Sequence, residues 1–256
     1  MVLLTSHHTT VSSPTTPQDE TVLVAMDVEW TKNYRIRNGN IPFCYSLATI
    51  TIPAHPASQP VPTGKLEFAF TSAYVEHADE TQTLIRRADA DLAHALGHAR
   101  YLVGHQLSSD LATLTNAATN PPPAVTRARA AWAARRQPDP DRSQIVDTRY
   151  DTDQVLRCTS RRLVDICTDL GLDVTQPELR GSMTAMHRTW LTTGSPELRE
   201  RLTVLNLRHS LSTALVALHT LGIVRWPPGF NVNRLLYQHL AGRYAWLDSP
   251  TFHQLL

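Results

Sequence analysis

The chain has 256 residues, with 24 Lys and Arg against 23 Asp and Glu and a formal net charge of +1. It is long enough to bury one substantial core, and its balanced charge excludes a global positive field, so any nucleic-acid contact must use local patches. Three cysteines, Cys44, Cys158 and Cys167, fit neither a zinc site nor a disulfide framework, and there is no apolar leader and no run of roughly 18 apolar residues. These features predict a soluble, unprocessed, cytoplasmic protein with no membrane association.

Residues 1–20 are rich in Thr, Ser, His and Pro and are expected to form a disordered tail. Thr21 to Met26 is an apolar, β-branched run ending at an acid, and reads as a buried strand. Past a polar loop holding Asn38-Gly39-Asn40, residues 44–52 and 65–70 read as two more strands, antiparallel if hairpin-linked. From Glu80 the apolar positions Leu84, Ile85, Ala88, Leu92, Ala95 and Leu96 recur at helical spacing, with Gly97 as a stop. Residues 101–103 form a short strand, followed by a helix through Leu114 that Ser108 or Ser109 can cap.

Residues 119–143 read as an Arg- and Pro-rich insertion. Arg127, Arg129, Arg135 and Arg136 could track a nucleic-acid backbone there, although charge runs are usually solvated faces. A strand over 144–148 and helices over 161–170, 196–205 and 211–221 complete a domain spanning 21–222, with 223–256 as a C-terminal extension packing on it. Strands and helices in this order predict an α/β fold with a mixed sheet.

Chemistry concentrates at three places. Asp27 and Glu29 are two residues apart at a strand end, so period-2 geometry sends both carboxylates to one face. Like charges held together there call for a cation or a proton, and Mg²⁺ accepts one or two carboxylates with water and phosphate oxygens. The bland reading is a solvated strand end. Asp110 lies in the first turn after another strand, and His209 stands just ahead of an apolar helix. A lone histidine is more often surface or capping than catalytic, but the order of these groups suits a two-metal phosphodiesterase.

In these segments the chain resembles the DEDD 3′→5′ exonucleases of the histidine subgroup, in the ribonuclease H-like superfamily, which include the proofreading subunit of bacterial DNA polymerase. Asp27 and Glu29 match the first motif; His105, Gln106 and Asp110 match the second, with Ser109 in place of an aromatic; Val146-Asp147-Thr148 and Leu163 to Gly171 match the segments before the third. The resemblance implies a ribonuclease H-like mixed sheet flanked by helices, hydrolysis of phosphodiesters at single-stranded 3′ ends or short oligonucleotides, and two divalent ions, Mg²⁺ or Mn²⁺. It makes Asp27, Glu29 and Asp110 metal ligands and His209 the general base. Trp30, Thr31 and His105 are candidates for contacting the terminal nucleotide, with Lys32 and Asn33 as weaker ones.

The family's fourth acid falls five residues after the histidine, and Ala214 stands there; no Asp or Glu occurs between Glu200 and Asp248. Position 214 is therefore expected to be a vacant ligand position facing the cleft, through natural degeneration or a deliberate Asp-to-Ala change. The competing expectation is a catalytically lapsed module that binds nucleic acid or a protein partner.

Overall fold

Two long strands form the spine of the sheet. In β2 (Glu20–Thr31) the run Leu23–Met26 is buried on both faces, which explains its continuous apolar character. β3 (Ile41–Pro53) pairs with it antiparallel, aligning Asp27 with Ser46 and Glu29 with Cys44, and the register slips between Glu29 and Trp30. The computed structural model describes residues 1–6, 20–31, 39–53, 66, 68–137, 143–152, 160–174 and 183–256. Ahead of β2 lies β1 (Val2–Thr5), and after β3 come β4 (Ala69–Tyr74), α1 (Thr81–His98), β5 (Tyr101–Gly104), α2 (Leu107–Ala117), α3 (Pro123–Ala134) and β6 (Gln144–Asp147). There follow α4 (Leu163–Asp169), β7 (Leu172–Asp173), α5 (Met183–Thr193), α6 (Pro196–Thr220), β8 (Phe230–Asn231), α7 (Val232–Leu240) and α8 (Pro250–His253).

The main sheet has six strands in the order β1-β4-β3-β2-β5-β6. The pairs from β1 to β2 are antiparallel, and β5 and β6 continue parallel to β2. Alternation along β3 divides the helices between two faces. Tyr45 turns to one side and donates its hydroxyl to Asp91 of α1 at 2.6 Å; Cys44 and Ser46 turn to the other and meet Asn206 and Ser210 of α6 at 3.4 and 2.7 Å. The mixed α/β architecture expected from the sequence is present. Among the described residues no helix is long and apolar enough to cross a membrane.

Several local expectations need correction. Val2–Thr5 is not tail but an edge strand paired with β4, where its apolar residues gain a ladder; residues 7–19 lie outside the described residues. The third expected strand, 65–70, forms instead at 69–74. Leu66 and Phe68 are still buried, but the ladder with β3 runs through Thr71 and Ser72, polar residues whose burial backbone pairing permits.

The two helices expected over 196–205 and 211–221 are one, α6. Polar residues at 206, 208–210 and 212–213 interrupt its apolar pattern, yet after Pro196 at its first position, behind the Ser195 cap whose hydroxyl accepts from Leu198 N, no Gly or Pro occurs before Gly222. α5 was not foreseen.

Within 119–143, α3 is integrated rather than appended. Asp89 of α1 caps it by accepting from the backbone N–H groups of Ala124 and Val125 at 2.7 and 2.9 Å. Trp132 donates from Nε1 to Asp147 at 2.8 Å, and Arg135 lies over the Trp132 ring while pairing with Asp151 at 3.0 Å. Arg135 is thereby committed to the fold; Arg127, Arg129 and Arg136 are exposed.

Candidate metal centre and its cavity

The end of β2 presents Asp27 and Glu29 to the face covered by α6, because they stand two residues apart opposite Ser46 and Cys44, whose side chains meet that helix. There His209 brings Nδ1 to 3.5 Å from Asp27 Oδ2 and 3.3 Å from Glu29 Oε1. One ligand atom from each of the three residues can be chosen so that all lie within 4.8 Å of one another, a spacing that a single cation can span. Burial works against an imidazolium here, but hydrogen bonds to the two carboxylates and then their charges outweigh it and raise the His209 pKa to about 9. Without a metal, His209 is the counter-charge that holds the two acids together.

Asp110 stands behind this group in the first turn of α2 and is only 3% exposed. Its Oδ2 meets no hydrogen-bond partner among the described residues. Burial first, then the charges of Asp27, Glu29 and Asp147, push its carboxyl well above the usual carboxylate range. An orphaned buried carboxylate oxygen beside two more acids is a donor set that could take a cation.

The turn that sets Asp110 is tightly constrained. A side chain at Gly104 would place its Cβ 2.6 Å from Leu107 Cβ, so the close approach of strand and helix requires glycine. Gln106 then takes a left-handed conformation (φ 66°), uncommon for a residue with a side chain. Its backbone N–H donates to Asp147 Oδ1 at 2.9 Å, and its side chain donates to Ser109 Oγ at 2.8 Å. The helix cap is therefore Gln106 rather than Ser108 or Ser109; Ser109 serves as the acceptor that holds it. His105, just before, lies 3.0 Å from the Thr148 hydroxyl, and burial lowers its pKa to about 4, leaving the ring neutral.

A cavity of about 200 Å³ opens beside these groups. Asp27, His105, Arg208, His209 and Ser212 form its polar side, and Leu163, Val164, Cys167 and Val174 form an apolar wall. Burial lowers the Arg208 pKa to about 9, and burial likewise pushes the Cys167 thiol up to about 12.

Trp30 and Thr31 are not among the residues lining this cavity. Trp30 packs partly against the core, its carbonyl accepting from Thr184 of α5 at 3.1 Å, while the Thr31 hydroxyl reaches the Ile41 carbonyl across the β2–β3 ladder at 3.4 Å. Lys32 and Asn33 lie outside the described residues.

Ala214 also departs from expectation. His209 sits inside α6 rather than ahead of a helix, so five further residues turn about 140° away from it at 100° each. Ala214 is fully buried one turn beyond Ser210, which bonds to Ser46 of the sheet, and it does not line the cavity. The residue that approaches the acids one turn before Ser210 is Asn206. It donates from Nδ2 to Asp27 Oδ2 at 2.7 Å, while the Cys44 thiol donates to its Oδ1 at 3.4 Å and fixes the amide orientation.

The reading of the sequence therefore brought Asp27, Glu29, His209 and Asp110 to one neighbourhood and His105 to its edge, and passed over Asn206 and Arg208. Their only signal was polarity inside an otherwise apolar helix, three residues and one residue before His209. No protein-family model matches the chain, and no curated protein matches it.

Proposed function

We propose that this is a metal-dependent phosphodiesterase of the ribonuclease H-like class, trimming nucleic acids from their 3′ ends. The observation that carries this reading is the grouping of Asp27, Glu29 and His209 within 4.8 Å, with an Asp110 oxygen behind them that has no partner among the described residues. A sheet in which four antiparallel strands continue into parallel β5 and β6, with acids at the end of β2 and in the first turn of the helix after β5, supports the class. These residues fit one divalent cation: Asp27 and Glu29 supply hard oxygens that suit Mg²⁺ or Mn²⁺, with Asp110 behind them and His209 left free for proton transfer. A second ion fits less well, because Asn206 brings a neutral amide N–H where another carboxylate would help hold it.

When bound, the cation would neutralise the acids and polarise a phosphodiester. The protein's own groups do the rest. Asp27 and Glu29 face the reacting phosphate, and His209, on the cavity wall, is placed to take the proton of an attacking water. His105, held neutral by burial, can donate or accept a hydrogen bond at the terminal sugar without adding charge.

Asn206 favours a second reading: a module that holds nucleic-acid ends with weak or no cleavage. The test is a 5′-labelled single strand incubated with protein and Mg²⁺ or Mn²⁺. Stepwise shortening from the 3′ end, lost in Asp27→Asn, is expected. An intact strand that is nevertheless retained by the protein would establish the second reading, and neither cleavage nor retention would end both.

A further inference from the structure

The outer surface of α1 carries two histidines that have no part in the acid centre. His94 and His98 stand four residues apart, so their side chains share one face of the helix, and both are exposed. Their rings stack with centroids 4.2 Å apart and planes inclined by 28°. His98 Nδ1 lies 2.9 Å from the His94 carbonyl oxygen. A carbonyl can only accept, so Nδ1 carries the proton, and in the neutral ring Nε2 keeps its lone pair. A ring N–H held in this way is the common support of a metal-bound imidazole. The spacing suits an ion as well, because two nitrogens each ~2.1 Å from a tetrahedral Zn²⁺ lie about 3.4 Å apart, which a small turn of either exposed ring reaches. Between the two histidines stands Gly97, where an added Cβ would meet nothing within 4 Å, so packing does not call for glycine there. The last turn of α1, closed by Ala99 N–H donating to Ala95 O at 2.8 Å, therefore carries the backbone freedom of glycine, which weakens a helix.

We propose that His94 and His98 bind a transition-metal ion, Zn²⁺ or Cu²⁺, which staples the last turn of α1. Imidazole nitrogen selects such ions over Mg²⁺. Asp91, nearly one turn earlier, is committed to Tyr45 and Arg87, and among the described residues no other His, Cys, Asp or Glu completes a group of three with the pair, so water fills the remaining positions. The ion closes a ring across one helical turn; it binds the helical form better than a frayed one and thereby stabilises it. α1 packs on the Tyr45 side of the sheet, whereas Asp27 and Glu29 face α6, so this site stands independently of the proposed function.

The experiment is calorimetric titration of the full chain carrying Asp27→Asn, which weakens the acid centre, with Zn²⁺ and with Cu²⁺. Adding His94→Asn or His98→Asn, both at exposed positions, is expected to cost roughly tenfold or more in affinity for either ion. The variants should melt with their parent in EDTA. Saturating Zn²⁺ should slow hydrogen exchange of the Ala99 amide in the parent and leave it unchanged in both variants. Equal affinity in parent and variants would overturn the proposal, and so would bound Zn²⁺ without slower exchange at Ala99. With Asp27 in place, strand shortening in Mg²⁺ should be the same with and without His98→Asn, so the staple and the phosphodiesterase fail separately.

Discussion

The protein holds two groups of buried or half-buried acids, and they are built on opposite principles. Asp147 is fully buried, but its oxygens accept from Gln106 N, Arg149 N and Trp132 Nε1, and Asp151 beside it pairs with Arg135. Across the same turn, Asp110 is nearly as buried and has an oxygen with no donor among the described residues, while Asp27 and Glu29 share one histidine. The first group has its donors supplied by the fold and acts as a clamp. In the second, the described residues give Asp110 Oδ2 no donor, and the group is the candidate place for a cation. Burial alone does not distinguish them; the count of donors does.

This contrast predicts opposite responses to removing a carboxylate. Asp147→Ala leaves three N–H donors without an acceptor and should cost about 3–5 kcal/mol of stability in denaturant unfolding. Asp110→Asn should leave the melting temperature unchanged or raise it, while lowering Mn²⁺ affinity in calorimetry. Equal destabilisation by the two would break the comparison.

The next effect concerns the helix facing the acids. Ala214→Asp buries a carboxylate without partners against the sheet and should cost about 3 kcal/mol or more, without gain in metal binding. Asn206→Asp places the new acid over Asp27 instead and should tighten Mn²⁺ binding about tenfold, ~1.4 kcal/mol. A gain at 214 rather than 206 would mean that the face of α6 turned to the metal has been misidentified.

A pH effect of similar or smaller size is expected away from the site. His187 stacks on Phe43 with ring centroids 3.9 Å apart and lies 2.7 Å from the Tyr74 hydroxyl; burial lowers its pKa to about 4. The unfolded chain takes up this proton near pH 6.5 and the folded one only near 4. Stability from this group is thus complete above about 6.5 and falls as pH drops towards 4, by at most about 3 kcal/mol. His187→Phe should flatten that part of a stability–pH curve. The smallest effect is Asp89→Ala, which uncaps α3 and should cost about 1 kcal/mol in the same unfolding measurement.

Much of the sheet was legible because β2 and β3 are long, apolar and β-branched, and their alternation fixes which side chains face α6. The acid pair was legible for the same reason, since spacing by two survives any error in strand boundaries. What failed depended on helix phase. A histidine within a helix and one ahead of it look alike in sequence, yet the difference turns position 214 away from the cavity and brings 206 to the acids. Asp147 belonged to a recognised pattern, but its task as the acceptor that holds Gln106 in a left-handed turn required the fold to be seen.

Because α6 runs unbroken from Pro196 to Thr220, Asn206, Arg208 and His209 are carried on one rigid rod. Near its start, Glu200 accepts from the backbone N–H of Trp246 at 2.8 Å, and the Arg201 guanidinium lies over the Trp246 ring. Ser210 pins the middle of the rod to β3. The segment after Gly222 therefore works as a splint: it grips the root of the helix and so helps set the pitch at which the histidine meets Asp27 and Glu29. Loosening Trp246 should be felt in the chemistry at His209 some nine residues along the helix, as a lever displaced at its root moves at its tip.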